Sequence, residues 1–336
     1  MRRLYISDIH MGAAEAVAPS TGKPYGWLSE AEAATLGAFL RSPQAAACDE
    51  VFIVGDFVDL WICPIDVCPP RPRDVFAAPQ NQPIVDALDA LRGAGKVIRF
   101  LPGNHDMDVV AADVAPLGIE FHTAPFVDGL VSVSHGHERC LFNGSDPAGR
   151  PRPFGYYISR FVATATHRDA GGAGFDLWLA LKNPDEVLAL ATGGTSLGEA
   201  VFDVVVAAAG LRLDERVLEA DGSSVAVGDV RAMYADLFDE WNRAGRNAAV
   251  EAVACEWDPW YGLPFAVDTL AIAGHSHLRT FSFVPDARRL YMNLGTWTRG
   301  TPCFAVTWTD PRHTWGALYK WRGTHAQFIN KAGLAR

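Results

Sequence analysis

Short apolar runs recur along the chain, and each stops abruptly at a glycine or at a side chain able to carry chemistry. Leu4-Tyr5-Ile6 is followed at once by Ser7-Asp8, and Val51-Phe52-Ile53-Val54 by Gly55-Asp56. The run 97–101 ends at Pro102-Gly103-Asn104, the run 131–134 at His135-Gly136, and Leu270-Ala271-Ile272-Ala273 at Gly274-His275. Near-continuous apolar runs closed by turn residues predict strands buried on both faces. Between them the apolar spacing becomes helical. Ser29-Glu30-Ala31-Glu32 has the form of a capping box and predicts a helix to about Arg41. Residues 83–91 predict a second helix, with Gly93 and Gly95 as its stop. Strands alternating with helices point to an α/β layered sheet, which gathers ligands at the carboxyl ends of its strands.

The rhythm breaks from about Cys140 to Phe265. A proline- and glycine-rich loop at 147–153 precedes helical patterns at 156–166, 196–210 and 227–244. These predict a mainly helical insertion, residues 140–265, a substrate lid set into a core of residues 1–139 and 266–336. After Gly274 the chain returns to β-type runs at 280–284, 289–294 and 304–307, read as a closing antiparallel sheet.

Composition sharpens this only in part. The 336 residues suffice for one large domain or for a core with an inserted lobe. A formal net charge of -10 leaves no basic field to hold a nucleic-acid backbone without sequence specificity. It also fits a site that gathers carboxylates around divalent cations. The six cysteines, Cys48, Cys63, Cys68, Cys140, Cys255 and Cys303, show no CxxC or zinc-finger spacing. Cys63 and Cys68 are near enough in sequence to bridge, and reduced thiols are expected. No apolar run has signal-peptide length and none could cross a bilayer, so the cytoplasm is the expected compartment.

Five signatures follow the strands in order: Asp8-Ile9-His10; Gly55-Asp56-Phe57-Val58-Asp59; Gly103-Asn104-His105-Asp106; His135-Gly136-His137; and Gly274-His275-Ser276-His277. Each alone is weak, since DxH and HxH arise often in ordinary polar turns. Together they place oxygen and imidazole donors at every strand end, a donor set suited to Mn, Fe, Zn, Co or Ni rather than to a thiolate-loving metal.

In that order the blocks resemble the calcineurin-like metallophosphoesterase superfamily, whose pattern is DxH, GDxxD, GNH[DE], H and GHxH. The resemblance covers roughly residues 1–139 and 266–310 and leaves out the insertion. It implies a β-sandwich flanked by helices and two divalent ions, manganese first. Asp8, His10, Asp56 and His277 would hold one ion. Asp56, Asn104, His135 and His275 would hold the other, with Asp56 shared. It also implies hydrolysis of a phosphodiester or pyrophosphate by a metal-bridging hydroxide. His105 takes leaving-group protonation or transition-state stabilisation, and Asp59 orients it. A phosphomonoesterase, including a phosphoprotein phosphatase, is the alternative, although that branch usually continues GDxxD with Arg-Gly where this chain has Leu60-Trp61. A non-catalytic metal-binding scaffold is a third reading.

Asp59-Leu60-Trp61 and Asn293-Leu294-Gly295-Thr296-Trp297 resemble the subgroup containing the UDP-2,3-diacylglucosamine hydrolases. That subgroup cleaves a pyrophosphate and carries a helical insertion over its site. Its best-known branch has Arg where His105 stands. A small-molecule or lipid-linked phosphate substrate is therefore expected, and no nucleic acid. Candidate substrate contacts are His137, Trp61 and Arg160, each weighed against a purely structural role. The insertion arginines Arg150, Arg152, Arg160 and Arg168 lie near Phe154, Tyr156, Tyr157 and Phe161, where the aromatics could equally pack the insertion itself. Trp257, Trp260 and Tyr261 form an aromatic return segment, and Trp297 is a candidate for the pocket wall. Asp106 is read as a turn residue. His122, His167, His313 and His325 are assigned to structure or surface.

Overall fold

The computed structural model describes residues 1–14, 28–138, 140, 142–146, 148–168, 197–243, 268–298 and 300–336. Its strands are β1 (Arg2–Ile6), β2 (Glu50–Val54), β3 (Val97–Leu101), β4 (Glu120–Phe121), β5 (Phe126–Asp128), β6 (Val131–Val133), β7 (Arg216–Leu218), β8 (Ser224–Ala226), β9 (Thr269–Ala273), β10 (Thr280–Val284), β11 (Arg289–Asn293), β12 (Cys303–Thr309), β13 (His313–Trp321) and β14 (Ala326–Ala335). One sheet has the order β14-β13-β12-β1-β2-β3-β4 and the other β10-β11-β9-β6-β5.

Strand alternation explains why the central strands read as unbroken apolar runs. Tyr5, Phe52, Val54 and Leu101 point into a cluster with Val133, Leu270, Ile272, Leu290 and Met292 of the second sheet. Their neighbours Leu4, Ile6, Val51, Ile53 and Phe100 point the other way, into a cluster with helical residues Leu36, Phe39, Ile84 and Leu88. Both faces are covered, so no polar face survives in the sequence. The first covering helix, Glu30–Leu40, is opened by Ser29, whose side chain accepts from the Glu32 N–H while Glu32 reaches back to the Ser29 N–H. The second, Gln82–Gly93, carries proline in its first turn, where a missing N–H costs nothing.

The late strands depart from expectation. They do not form one closing sheet. β10 and β11 join the second sheet, with β11 parallel to β9, while β12 pairs antiparallel with β1 and extends the first. Leu290 and Met292 must face the layer between the sheets, and that fixes β11 beside β9. β13 and β14 were not signalled by any apolar run, because each buries one face and alternates with polar or exposed positions.

Between residues 140 and 265, where an insertion was expected, helices run Phe154–Arg168, Leu197–Ala208, Val227–Met233 and Ala235–Arg243. The helical pattern expected at 227–244 is split at Tyr234, whose hydroxyl donates to the Arg152 carbonyl and whose ring lies under the Arg150 guanidinium. The β7–β8 hairpin was missed, its arms being only three residues each. Phe154, Tyr156, Phe161 and Phe202 share one apolar cluster with Leu60, Trp61 and Ile65 of the core, so these insertion helices pack directly on the loop after β2. No helix among the described residues is long and apolar enough to cross a membrane. Trp257, Trp260 and Tyr261 lie outside the described residues.

Candidate metal centre

Five strands end at one place. Asp8 and His10 follow β1, Asp56 follows β2, Asn104 and His105 follow β3, His135 follows β6, and His275 and His277 follow β9. Asp8, His10, Asp56, His275 and His277 all have positive φ, between 51° and 69°. Side chains other than glycine rarely adopt that left-handed region, and each such residue costs on the order of 1–3 kcal/mol. The surrounding bonds enforce it. The Ile9 and His10 N–H groups both donate to the Asp56 carbonyl at 2.9 and 2.8 Å, and the His275 N–H donates to the Asp8 carboxylate at 3.1 Å.

Two of the motif glycines are demanded by close approach. A Cβ on Gly103 would stand 2.2 Å from Asp56 Oδ1, and one on Gly274 would stand 1.9 Å from Ser7 Oγ and 2.3 Å from Asp8 Oδ2.

One donor atom from each of Asp8, His10, Asp56 and His277 falls within a 4.8 Å cluster. His277 Nε2 lies 3.2 Å from Asp8 Oδ1, His10 Nε2 lies 3.5 Å from Asp56 Oδ2, and the two Nε2 atoms are 3.0 Å apart. The same Asp56 Oδ2 lies 3.1 Å from His135 Nε2, and His275 Nδ1 lies 3.0 Å from Asn104 Oδ1. Of the seven residues expected as metal ligands, Asp8, His10, Asp56 and His277 thus form one donor cluster, His135 reaches the Asp56 carboxylate, and Asn104 pairs with His275, whose N–H meets Asp8. All are buried except His277, which is partly exposed.

The donor chemistry fits cations. Among the described residues no lysine or arginine pairs with Asp8, Asp56 or Asp59, so imidazoles are the only basic side chains paired with these three buried carboxylates. Burying such charge without compensation is costly. His10 turns its Nδ1 to Asp59 and His135 turns its Nδ1 to the Val54 carbonyl, which aims both Nε2 atoms at Asp56. Fixing one ring nitrogen so that the other faces a metal is the usual way a protein orients such ligands.

Asp59 touches more than expected. Oδ1 lies 3.0 Å from His105 Nδ1 and Oδ2 lies 2.9 Å from His10 Nδ1, while Oδ1 also accepts from the Trp61 and Ile62 N–H groups. Burial opposes its charge, but the His105 and His10 rings outweigh that and hold the carboxyl well below the usual range. Trp61 lies against the His105 ring at 4.7 Å between centroids and meets Tyr156 edge-on at 5.8 Å. His137 is buried 5.4 Å from the His135 ring, its Nδ1 without a partner among the described residues, and burial lowers its pKa to about 4.

Two expectations are corrected. Arg160 is fully buried and spends all five N–H donors on the Cys63, Pro64, Val67 and Leu218 carbonyls and the Tyr156 hydroxyl, leaving none for a phosphate. Trp297 packs against Phe39 in the apolar core rather than lining a pocket, and it is its backbone N–H that reaches the site, donating to the Asp8 carbonyl. The other insertion arginines are engaged too: Arg150 with Asp146 and Asp236, Arg152 with Asp108, and Arg168 with Glu215.

Other contributors were not anticipated. Asp106 accepts from the Gly103 and Phe57 N–H groups, both at 2.6 Å, and so ties the loop of Asp56 to the loop of Asn104. Its place as the last residue of Gly103-Asn104-His105-Asp106 was the available signal. Asn293 donates to the Gly274 carbonyl at 2.6 Å and supports the turn carrying His275. Ser7 Oγ lies 2.6 Å from both Asp8 Oδ2 and the Val54 carbonyl, and Cys140 Sγ lies 3.3 Å from His275 Nε2. No spacing pattern marked either of these two.

No protein-family profile matches the chain. Among curated proteins it is similar to the UDP-2,3-diacylglucosamine hydrolase of Proteus mirabilis, with 33% identity over 108 residues. That match covers 32% of this chain and 34% of the relative, so it spans about a third of each. Among solved structures, a zinc complex of Vps29 from Entamoeba histolytica is 11% identical, with 99% of each chain covered and a TM-score of 0.36. A dimetal phosphatase from Danio rerio is 11% identical, covering 100% of this chain and 98% of its own, with a TM-score of 0.40. At scores this low neither superposition bears on function. In its two facing sheets flanked by helices and in its five strand-end motifs, the chain resembles the calcineurin-like metallophosphoesterases.

Proposed function

We propose that this protein is a dinuclear metal-dependent phosphoesterase acting on a phosphodiester or pyrophosphate bond, with manganese as the first metal to test. What supports this reading is Asp56, whose Oδ2 is approached by His10 Nε2 at 3.5 Å, within a donor cluster that includes Asp8 and His277, and by His135 Nε2 at 3.1 Å, while Asn104 pairs with His275. Two divalent ions held there would supply an activated water near neutral pH and would draw charge from the phosphate oxygens.

The chain's own residues do the rest. His10 and His135 keep Nε2 aimed inward because Asp59 and the Val54 carbonyl hold their other nitrogens. Asp59 binds Nδ1 of His105, so proton delivery to a departing oxygen runs through Nε2 of that ring. Trp61 buttresses the ring from one side. Trp61 and His137 are the substrate contacts we favour, and residues 140–265 the lid that selects a small-molecule or lipid-linked phosphate.

The test is turnover of bis-p-nitrophenyl phosphate, p-nitrophenyl phosphate and a UDP-sugar pyrophosphate by manganese-loaded protein. The third substrate is chosen from the name of the curated relative. Diester or pyrophosphate hydrolysis exceeding monoester hydrolysis is expected. Monoester hydrolysis alone would move the assignment to a phosphomonoesterase, and no turnover with ions bound would overturn it.

A further inference from the structure

The segment 63–67 follows the loop that holds Asp59, and the insertion grips it almost atom by atom. Arg160 donates to the Cys63, Pro64 and Val67 carbonyls at 2.8, 2.8 and 2.6 Å. The Ile65 N–H donates to Thr164 Oγ1 at 2.9 Å, one helical turn beyond Arg160, and the Leu218 N–H of the β7–β8 hairpin donates to the Ile65 carbonyl at 2.8 Å. Arg160, Thr164, Cys63 and Ile65 are all buried.

The segment is joined to the site by a very short path. The Cys63 N–H donates to the Trp61 carbonyl at 2.9 Å, the Trp61 and Ile62 N–H groups donate to Asp59 Oδ1 at 3.0 and 2.8 Å, and that oxygen lies 3.0 Å from His105 Nδ1. The Leu60 N–H donates to the His105 carbonyl at 3.2 Å, and the Trp61 ring lies on the His105 imidazole. Tyr156, bonded to Arg160 through its hydroxyl, packs edge-on against that same Trp61. Two faces of His105 are thus set by a loop whose far end is held by the insertion.

We infer that Arg160 is a positioning residue for His105: it locks residues 63–67 to the insertion, and through Trp61 and Asp59 this lock fixes the imidazole that protonates the leaving group. The inference rests on the phosphoesterase reading. It predicts that the insertion governs how well the protein handles poor leaving groups, separately from how it binds metal.

The test uses the full-length, manganese-loaded protein with Arg160→Met and with Thr164→Val, an isosteric change that removes one bond to the same segment and so serves if Arg160→Met does not fold. Rates are compared on bis-p-nitrophenyl phosphate and diphenyl phosphate, whose leaving groups differ in their need for a proton. Arg160→Met should lose about tenfold on diphenyl phosphate and about twofold on the nitrophenyl ester, with Thr164→Val losing less in the same direction. In a His105→Ala background neither change should cost more than about twofold, because both act through that ring. Equal losses on the two esters, or losses that add in full to His105→Ala, would overturn the coupling. Side-chain nitrogen NMR on the protein loaded with diamagnetic zinc in place of manganese gives an answer independent of turnover: the His105 Nδ1–H bond to Asp59 should weaken in Arg160→Met, and an unchanged signal would also overturn it. A wild-type protein that hydrolyses neither ester would overturn the hydrolase reading instead, and the NMR comparison would still decide the link between Arg160 and His105.

Discussion

The carboxylate of Asp59 lies 3.0 Å from Nδ1 of His105, and its second oxygen lies 2.9 Å from Nδ1 of His10. One side chain therefore orients both a metal-type ligand and the group assigned to leaving-group protonation. Asp59→Asn keeps the shape but presents an amide donor to one of two ring N–H groups. We expect kcat to fall about 10–100-fold, with manganese content at saturation unchanged. Atomic metal analysis beside steady-state kinetics checks this, and retained activity would show that neither ring needs the carboxylate.

His105 is not one of the four residues of the Asp8, His10, Asp56 and His277 cluster, but it forms a second donor group with His10 and Asp59. His105→Ala should keep the ions and lower the rate on diphenyl phosphate about 100-fold, with a smaller loss on the nitrophenyl ester. A plot of rate against leaving-group acidity should steepen. An unchanged slope would remove the proton-delivery role.

How much of this was legible follows from what each residue needs. The cluster of Asp8, His10, Asp56 and His277 was readable because strands buried on both faces leave long apolar runs, and whatever stands after each run is conspicuous. The capping box at Ser29 and Glu32 was readable for a similar local reason. Asp106 was not, because beside the local Gly103 N–H it accepts the Phe57 N–H, a partner that meets it only when two loops fold together. Arg160 was misread for the same reason. An arginine beside aromatic residues suggests a phosphate clamp, yet its five acceptors come from segments 58 to 97 residues away and from one tyrosine a helical turn back. β13 and β14 escaped because a half-exposed strand lacks the run that betrayed β1, β2 and β3.

Gly274 leaves no room for a methyl group, with Ser7 Oγ 1.9 Å and Asp8 Oδ2 2.3 Å from the position a Cβ would take. Gly274→Ala must push Asp8 away from His277 and from the His275 N–H. A loss of about 1–3 kcal/mol in stability is expected from the overpacking, together with weaker manganese binding. Denaturant melts and metal titration read the two effects, and an unchanged affinity would contradict the geometry.

Cysteine chemistry offers an independent check on the loop held by Arg160. Cys63 is buried, and that burial pushes its thiol up to about 12, against the opposing pull of Arg160, whereas Cys68 is exposed. Alkylation proceeds through the thiolate, so Cys63 should stay unlabelled at pH 8 in the folded protein while Cys68 reacts. Both are free thiols. Peptide mapping after iodoacetamide treatment would show this, and rapid labelling of Cys63 would mean that segment 63–67 opens readily.

The central claim is that Asp56 belongs to both halves of one site, and metal stoichiometry tests it most directly. Manganese bound per chain should be two in the wild type. Asp56→Ala should lose both ions at the same metal concentration, and phosphodiester turnover with them. An Asp56→Ala protein that still held two ions, or that still hydrolysed the diester, would contradict the account.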